Sequence, residues 1–293
     1  MSAEAVPGLP DRPTLRPGLC VVRRDDLHLQ VGLDPPHRVV VPDAPEVRRL
    51  LEELRLGVRP TPGTPVAHRV LAALVERDLL VDAAELDARL ATAVDRAAVA
   101  AVFGARGSRA PGVLDRRAAA AVALDAPADL ADAATRLLLE SGLRTAAGAT
   151  PAVLLLVGDS VVARDRLDPA VRAGVPHLVV QGGADAVSLG PFVVPGVTAC
   201  VRCVDAHRSE ADPRRSLLIE QCGRGSSILE PRDPALMALA VAWAVRDLVS
   251  FVDGDEPATW SATVSMGAGP APVRHRFARH PHCGCSWGDS LAG

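Results

Sequence analysis

Short runs of alternating hydrophobic and polar residues open the folded part of the chain. Residues 20–23 and 27–31 flank a polar turn at 24–26, a pattern typical of a β-hairpin. A third apolar run covers residues 38–41. These runs predict three short strands.

The hydrophobic period then changes to that of a helix. Residues 47–54 place their apolar side chains at i, i+3, i+4 and i+7, and residues 66–75 repeat this pattern after a proline-rich break. Three strands followed by two helices predict a small winged-helix-like domain over residues 18–82. The proline-rich residues 1–17 have no periodicity and are predicted to be a flexible lead-in.

Apolar runs alternate with helical patterns in the rest of the chain. Residues 83–114 are predicted to form a helical linker, and residues 115–293 have the pattern of a doubly wound α/β domain. The continuous apolar run at 152–157 is typical of a strand buried on both faces of a parallel sheet. Strands are predicted at 118–124, 152–157 and 177–180, helices at 128–141, 165–173 and 234–251, and an antiparallel pair at 260–264 and 273–277.

The composition narrows the chemistry that the chain can perform. Its 293 residues include no lysine, asparagine or tyrosine, so all 32 basic residues are arginines, and no lysine can act as a Schiff base or phosphate clamp. The net charge of −3 gives no electrostatic basis for binding nucleic acid. No apolar run reaches the length of about 18 residues that a membrane span needs, and the N-terminus has no signal-peptide pattern. We therefore expect a cytoplasmic protein that binds neither nucleic acid nor membranes.

Four of the six cysteines lie in two close pairs, Cys200-x-x-Cys203 and Cys283-x-Cys285. Each spacing lets two thiolates converge on one ion, and two such pairs complete the tetrahedral ligand set of a structural zinc. A redox pair or buried free thiols are the alternatives, whereas the missing secretory signal disfavours a disulfide framework. His280 and His282 flank the second pair and offer an alternative ligand. We predict a four-cysteine zinc site, with both histidines outside the ligand set.

The first strand-to-helix turn of the α/β domain lacks the features that bind a nucleotide. Such a turn is normally rich in glycine, so that backbone amides can approach phosphates at the helix N-terminus. Residues 124–129 contain no glycine, a proline that removes one amide donor, and the acids Asp125 and Asp129, which repel phosphate. The nucleotide pocket is therefore predicted to be absent.

Two residues with reactive side chains have no identifiable partner in the sequence. His207 lies in a polar stretch after the first cysteine pair, and Cys222 stands alone. A structural histidine and a buried free cysteine are the expected roles, and a thioester nucleophile is the functional alternative for Cys222.

The second half of the chain resembles the ThiF/ubiquitin-activating superfamily from residue 115 to 287. The resemblance depends on Gly190-Pro191, Pro195-Gly196, the two cysteine pairs and the β-α-β units before them. Members of this superfamily adenylate a C-terminal carboxylate on a Rossmann-like domain. A closer similarity is to the ThiF-like partner proteins of YcaO cyclodehydratases, which help make thiazole- and oxazole-modified peptides. It depends on the ending His280-Pro281-x-Cys283-Gly284-Cys285 and the segment Cys203-Val204-Asp205-x-His207-Arg208.

This resemblance implies a peptide-binding role for the first domain. The partner proteins carry an N-terminal RiPP recognition element, which binds the leader of a ribosomally made precursor peptide as an added strand. Residues 18–82 match its order of elements, so the leader peptide is expected along the third strand and the second helix. The implied peptide-binding residues are Arg38, Val39, Val40, Val41, Val66, Arg69, Val70, Ala73 and Arg77.

Departures from the active relatives affect the expected function. Active ThiF relatives surround ATP with a glycine-rich loop, an asparagine, a lysine, arginines and a metal-binding aspartate. Asp159 falls at the position of that aspartate, as a vestigial nucleotide site, but Ser160 follows where the pattern has asparagine. We therefore expect no ATP chemistry here, and a non-catalytic protein that presents a precursor peptide to a YcaO-type cyclodehydratase. The resemblance also allows a homodimer.

Two other functions remain open from the sequence. The first is a ThiF-like, ATP-dependent adenylating enzyme with a remodelled pocket. The second is a DNA-binding regulator, which is disfavoured because Glu76 and Asp78 offset Arg69 and Arg77 on the second helix.

Overall fold

The chain forms two compact units, Met1–Asp115 and Arg116–Gly293, in a computed structural model. Both contain strands and helices, which confirms the predicted α/β class. The structure describes residues 6–146, 150–183, 185–223 and 231–285.

Among its described residues, the first unit contains a three-stranded antiparallel sheet, a two-stranded antiparallel sheet and four α-helices. A fifth helix begins in this unit and ends in the second. The three-stranded sheet has the order β2-β3-β4, and β1 pairs with β5. The elements are β1 Pro13–Leu15, β2 Val21–Arg23, β3 His28–Val31, β4 Val39–Pro42, α1 Pro45–Arg55, α2 Pro65–Glu76, β5 Leu80–Asp82, α3 Ala83–Thr92, α4 Arg96–Arg106 and α5 Ala110–Ala119.

The two predicted helices after the hairpin form as expected. Helix α1 buries Val47, Leu50, Leu51 and Leu54, the residues that the helical period selects. Helix α2 starts where the hydroxyl of Thr64 accepts a hydrogen bond from the backbone N–H of Ala67, at 3.2 Å. These buried faces pack with β3 and β4 into one hydrophobic core.

The N-terminal segment has more structure than its composition indicates. Strand β1 lies in the segment predicted to be a lead-in, and Thr14 pairs with Val81 of β5. The backbone N–H of Arg16 also donates to the carbonyl of Leu79, at 3.0 Å. A three-residue strand that starts at a proline is too short to show a period, so the sequence pattern missed it.

The second unit is built on a seven-stranded mixed sheet of order β12-β11-β10-β9-β8-β6-β7. Strands β7, β6, β8 and β9 are parallel, and β10 to β12 are antiparallel. Only the parallel part fits the predicted doubly wound pattern. The elements are β6 Ala121–Asp125, α6 Ala128–Glu140, β7 Arg144–Thr145, β8 Val153–Gly158, α7 Asp168–Arg172, β9 His177–Gln181, β10 Ala186–Val193, α8 Val201–Ser209, α9 Arg215–Gly223, α10 Pro234–Asp253, β11 Ala262–Gly267 and β12 Val273–Arg276.

The boundary before the first strand of this unit differs from the prediction. Residues 118 and 119 continue helix α5, and β6 begins at Ala121. Arg117 fixes this end of the helix because its guanidinium donates two hydrogen bonds of 2.7 Å to the buried carboxylate of Asp253.

Helix α10 supplies one wall of the core of the second unit. Of the helices that the structure describes, it alone is long and apolar enough to cross a membrane. Its residues Met237, Ala240, Ala244 and Leu248 are fully buried in the main hydrophobic cluster, together with residues of β8, β9 and β10. This packing is typical of a core helix, and the cytoplasmic location stays a prediction.

Candidate functional site

The structure brings the four predicted zinc ligands together. Cys200 lies immediately before α8 and Cys203 lies in its first turn, whereas Cys283 and Cys285 follow β12. The Sγ–Sγ distances are 3.6 Å for Cys200–Cys203, 3.5 Å for Cys200–Cys283 and 3.3 Å for Cys203–Cys285. All four sulfur atoms lie within 4.8 Å of one another.

These distances fit a structural metal ion. A tetrahedral zinc with Zn–S bonds of about 2.3 Å has sulfur atoms about 3.8 Å apart. A disulfide would need about 2.05 Å, so the four cysteines are free thiols rather than two cystines. Four sulfur donors and an enclosed position suit zinc, with no coordination position left for a substrate.

The electrostatics of the cluster also favour a cation. Two hydrogen bonds lower the pKa of Cys203 far below its usual range. The one with Cys200 has the larger effect and the one with Cys283 the smaller. The same Cys200–Cys203 hydrogen bond raises the pKa of Cys200, because the Cys200 thiol needs its proton to donate to Cys203; repulsion by the Cys203 thiolate acts in the same direction. A dication between the sulfur atoms removes this repulsion and allows all four to ionise.

The surroundings hold the second cysteine pair in place. Cys200, Cys203 and Cys283 pack with Val193 and Ala199 into a small hydrophobic cluster. The backbone N–H of Cys283 donates to the carbonyl of His280 at 3.0 Å, and the guanidinium of Arg279 donates to the carbonyl of Cys285 at 2.9 Å. These contacts orient the loop that carries Cys283 and Cys285.

At the predicted nucleotide position, an arginine bridges two acidic residues. Asp159 follows directly after β8, and Asp129 lies in the first turn of α6. Arg232 donates to Asp159 at 2.9 Å and to Asp129 at 2.7 Å. This hydrogen bond from Arg232 also lowers the pKa of Asp129 below its ordinary value. We call the three residues the Arg232 bridge.

The backbone around Asp159 is closely packed. A Cβ atom added at Gly182 would lie 2.0 Å from the carbonyl oxygen of Asp159, so only glycine allows this approach. In the turn between β6 and α6, Asp125 pairs with Arg166 at 2.6 Å. The sequence did not predict the Arg232 bridge, because its charges lie 73 and 103 residues apart and meet only in the folded chain.

The predicted peptide-binding residues divide into exposed and buried groups. Along α2 and its C-cap residue Arg77, the predicted residues follow the i, i+3, i+4, i+7, i+11 spacing of one helical face: Val66, Arg69, Val70, Ala73 and Arg77. Val70 belongs to the core, as do Val39 and Val41 on β4, so these three side chains cannot contact a peptide directly. The side chains that remain accessible are Arg38, Val40, Val66, Arg69, Ala73 and Arg77.

Strand β4 is an edge strand of the three-stranded sheet, and no strand of the described residues pairs with its outer edge. The N–H of Asp43 donates to the carbonyl of Leu27 at 2.8 Å, which fixes the phase of the antiparallel ladder. Because hydrogen-bonded pairs alternate along such a ladder, Val40, opposite Gln30, directs its N–H and C=O away from β3. Pro42 is the next residue to face outward, a position where a proline breaks no ladder hydrogen bond.

A groove of about 570 Å³ lies at the opposite edge of the same sheet. Val21 of β2 and Arg48, Leu51 and Arg55 of α1 are among the residues that line it, and none of the predicted peptide-binding residues does. The N–H of Gly32 donates to the carbonyl of Cys20 at 2.8 Å, so these residues form a hydrogen-bonded pair of the β2–β3 ladder. The next residue of β2, Val21, therefore directs its N–H away from β3. The first unit therefore has two strand edges that could accept an extended peptide.

The two lone reactive residues have different surroundings. Cys222 is exposed on α9, so the expectation of a buried cysteine is wrong. His207 lies on α8, where its Nε2 donates to the carbonyl of Ala278 at 3.0 Å, as a structural histidine would.

Known structures share this fold. No protein-family model matches the chain, and no curated protein matches its sequence. The structure of the heterocyclase TruD superposes on 94% of this chain with a TM-score of 0.69 at 17% identity, and a heterocyclase in complex with substrate and cofactor superposes on 91% with a TM-score of 0.66. This chain spans only 42% and 38% of the length of those two proteins.

A second group of similar structures matches over nearly its whole length. E. coli MccB covers 94% of this chain and 96% of its own, with a TM-score of 0.62 at 13% identity. The complex of E. coli MccB with ATP covers 92% of this chain, with a TM-score of 0.59. At these identities the similarity shows a shared mixed α/β fold, as the sequence resemblance predicted at that level, and no activity.

Proposed function

We propose that this chain binds the leader of a ribosomal precursor peptide and presents the peptide to a YcaO-type cyclodehydratase for azoline formation. The observation that carries the proposal is the unpaired edge of β4 beside the accessible face of α2. The first unit acts in this proposal as a winged-helix-like RiPP recognition element.

The leader peptide adds as a fourth strand to the three-stranded sheet. The N–H and C=O of Val40 supply two main-chain hydrogen bonds, which any sequence can make. Specificity then comes from side chains on both walls of the site. Arg38, Arg69 and Arg77 are exposed there and outnumber Glu76, because Asp78 pairs with Arg16. A leader with acidic residues is therefore preferred over a basic one.

The second unit serves as a scaffold with no nucleotide chemistry of its own. Transfer chemistry on ATP needs cationic groups that stabilise phosphate charge. The chain has no lysine, and the carboxylate of Asp159 is paired with Arg232. In this proposal the YcaO-type partner performs the reaction, and leader binding raises the local concentration of the core peptide at the partner's active site.

The structural neighbours support this assignment to peptide modification. TruD is a heterocyclase, and E. coli MccB has been seen in complex with MccA. The chain corresponds to about two-fifths of the heterocyclases, and the remainder of those proteins has no counterpart in it. A homodimer stays a prediction from the family.

An adenylating enzyme is the second candidate, because the ATP complex of MccB matches over 98% of its own length. Titration calorimetry with ATP and Mg²⁺ separates the two functions. The proposed scaffold gives no heat of binding, whereas a dissociation constant in the micromolar range would favour the enzyme.

Peptide binding is tested by replacing an outward-facing N–H on each edge of the sheet. The probe is a fluorescent leader segment of a short Cys/Ser/Thr-rich peptide encoded next to a YcaO-type gene in the chain's genomic neighbourhood. Val40→Pro removes one hydrogen bond and leaves a peptide carbonyl unpaired, so we expect affinity by fluorescence polarisation to fall about tenfold or more.

Val21→Pro is the matched control, because Val21 and Val40 have similar exposures of 41% and 44% and both direct an N–H outward. We expect this variant to bind like the wild type. Loss of binding in Val21→Pro but not in Val40→Pro would move the peptide to the β2 groove, and no binding by the wild type would reject the function.

A further inference from the structure

Two histidines and a glutamate converge beside the cysteine cluster without belonging to it. His207 and Glu210 lie one helical turn apart at the end of α8, and His280 comes from the segment after β12. Glu210 Oε1 lies 3.8 Å from His207 Nδ1 and 3.2 Å from His280 Nε2. The three ligand atoms lie within 4.8 Å of one another.

The hydrogen bonds of His207 orient its free electron pair into this cluster. A backbone carbonyl only accepts, so the 3.0 Å contact with the carbonyl of Ala278 places the ring proton on Nε2. In the neutral ring, Nδ1 then presents a lone pair to the carboxylate of Glu210. Two electron-rich atoms facing each other are stabilised by a cation between them. Metal-binding histidines typically donate their other ring N–H to a carbonyl or carboxylate in this manner.

His280 and Glu210 complete the donor set from opposite sides. The side chain of His280 is 8% exposed and contacts Glu210 through Nε2, whereas Glu210 is 66% exposed. Binding of a metal at Nε2 moves the His280 ring proton to Nδ1 and gives up the 3.2 Å hydrogen bond from the N–H of His282. The exposed side of Glu210 leaves room for water molecules as the remaining ligands.

We propose that His207, Glu210 and His280 form a second divalent-metal site, distinct from the four-cysteine site. Two imidazoles and one carboxylate suit Zn²⁺ and neighbouring transition metals rather than Ca²⁺ or Mg²⁺, which prefer oxygen ligands. Each site links α8 to the segment that follows β12. The second ion therefore reinforces the attachment that the cysteine cluster makes, and this proposal does not depend on the peptide-binding function.

The test uses the full chain with its cysteine site saturated by Zn²⁺. We expect elemental analysis to give one zinc per chain after extensive dialysis, and calorimetry to show a second, weaker Zn²⁺ site. Glu210→Gln keeps the size of an exposed side chain and removes its charge, so folding should be preserved while Zn²⁺ affinity at the second site falls at least tenfold. His207→Ala should have the same effect or a larger one.

His275→Ala is the matched control, because His275 is exposed on the neighbouring strand β12 and lies outside the cluster. The proposal predicts unchanged binding of the second zinc in this variant. It is overturned if the wild type takes up no second zinc, or if Glu210→Gln binds the second zinc as tightly as His275→Ala does.

Discussion

At the scale of single residues, ion pairs of the same residue types differ in their contribution to stability according to how deeply they are buried. Arg164 and Asp205 are both less than a tenth exposed, and two hydrogen bonds of 2.6 and 3.0 Å join them. Arg202 and Asp168 form a pair of the same type at 3.0 Å with far more exposure. A buried charge that loses its partner is costly, whereas solvent already screens an exposed pair.

Asp205→Ala should therefore lower the free energy of unfolding of the second unit by about 3–5 kcal/mol, because the buried charge of Arg164 loses its carboxylate partner. Asp168→Ala, the matched control, should cost about 1 kcal/mol or less. Urea denaturation followed by circular dichroism measures both values. Equal losses for the two variants would contradict this ranking of the pairs.

Asp82 accepts hydrogen bonds from three backbone N–H groups and makes stability depend on pH. Desolvation is the largest influence on the pKa of Asp82 and raises it, but hydrogen bonds from the backbone N–H groups of Arg12, Glu85 and Ala84 together outweigh it and lower the pKa. A carboxyl group whose pKa is lowered by folding stabilises the fold above its unfolded pKa. That contribution is lost as the pH falls through the folded pKa.

Asp82→Ala should cost about 1 kcal/mol at neutral pH, because the N-cap of α3 is lost. Asp82→Asn keeps a capping oxygen but removes the charge, so its stability should vary less than that of the wild type between pH 6 and pH 3. Denaturation curves across this range provide the measurement. Identical pH profiles for wild type and Asp82→Asn would show that the charge does not contribute.

Residue-scale prediction from sequence succeeded where local spacing carries the information. Each cysteine pair can be recognised from a spacing of two or three residues, and the structure brings the two pairs together. The Arg232 bridge and the carboxylate of Glu210 beside His280 were missed. Their partners lie 70 or more residues away, so only the folded chain shows that the charges meet.

At the scale of elements, the cysteine cluster joins helix α8 to the segment after β12. A metal there closes a long loop and so reduces the entropy of the unfolded chain. Cys203→Ser should abolish zinc binding at this site, measured by elemental analysis. It should also lower the free energy of unfolding of the second unit by several kcal/mol.

Cys222→Ser is the control for that variant, because Cys222 is exposed and lies outside the cluster. It should retain the zinc content and unfolding midpoint of the wild type. Full stability of Cys203→Ser would mean that the cluster contributes nothing to the fold.

Periodicity predicted the elements that bury one clear face and failed where the chain bends. Helices α1 and α2 and strand β8 were predicted because their apolar spacing is regular over at least six residues. Strand β10 was missed because it contains Gly190-Pro191, a dipeptide that is typical of turns and indicates the end of a strand. The structure has a register shift at this dipeptide, between Leu189 and Phe192, where a Cβ at Gly190 would lie 2.4 Å from the carbonyl of Ala262.

At the scale of the whole molecule, the two units have separate tasks in this account. The first is proposed to present a strand edge to a peptide. The fold of the chain is similar to those of TruD and MccB, and in the second unit Arg232 pairs with Asp159. Arg232→Ala alone should not create ATP binding, because the chain still has no lysine and no glycine in the β6–α6 turn. Titration calorimetry with ATP and Mg²⁺ checks this, and micromolar affinity in the variant would show that Arg232 only blocks a working pocket.

Hydrogen–deuterium exchange on the purified chain tests the central claim most directly, because it locates each ligand on the backbone. With the leader peptide, the account predicts slower exchange across residues 38–42. With ATP and Mg²⁺, it predicts no change at residues 124–129 or near Asp159. Protection near Asp159 by ATP, with none at β4 by the peptide, would contradict the account.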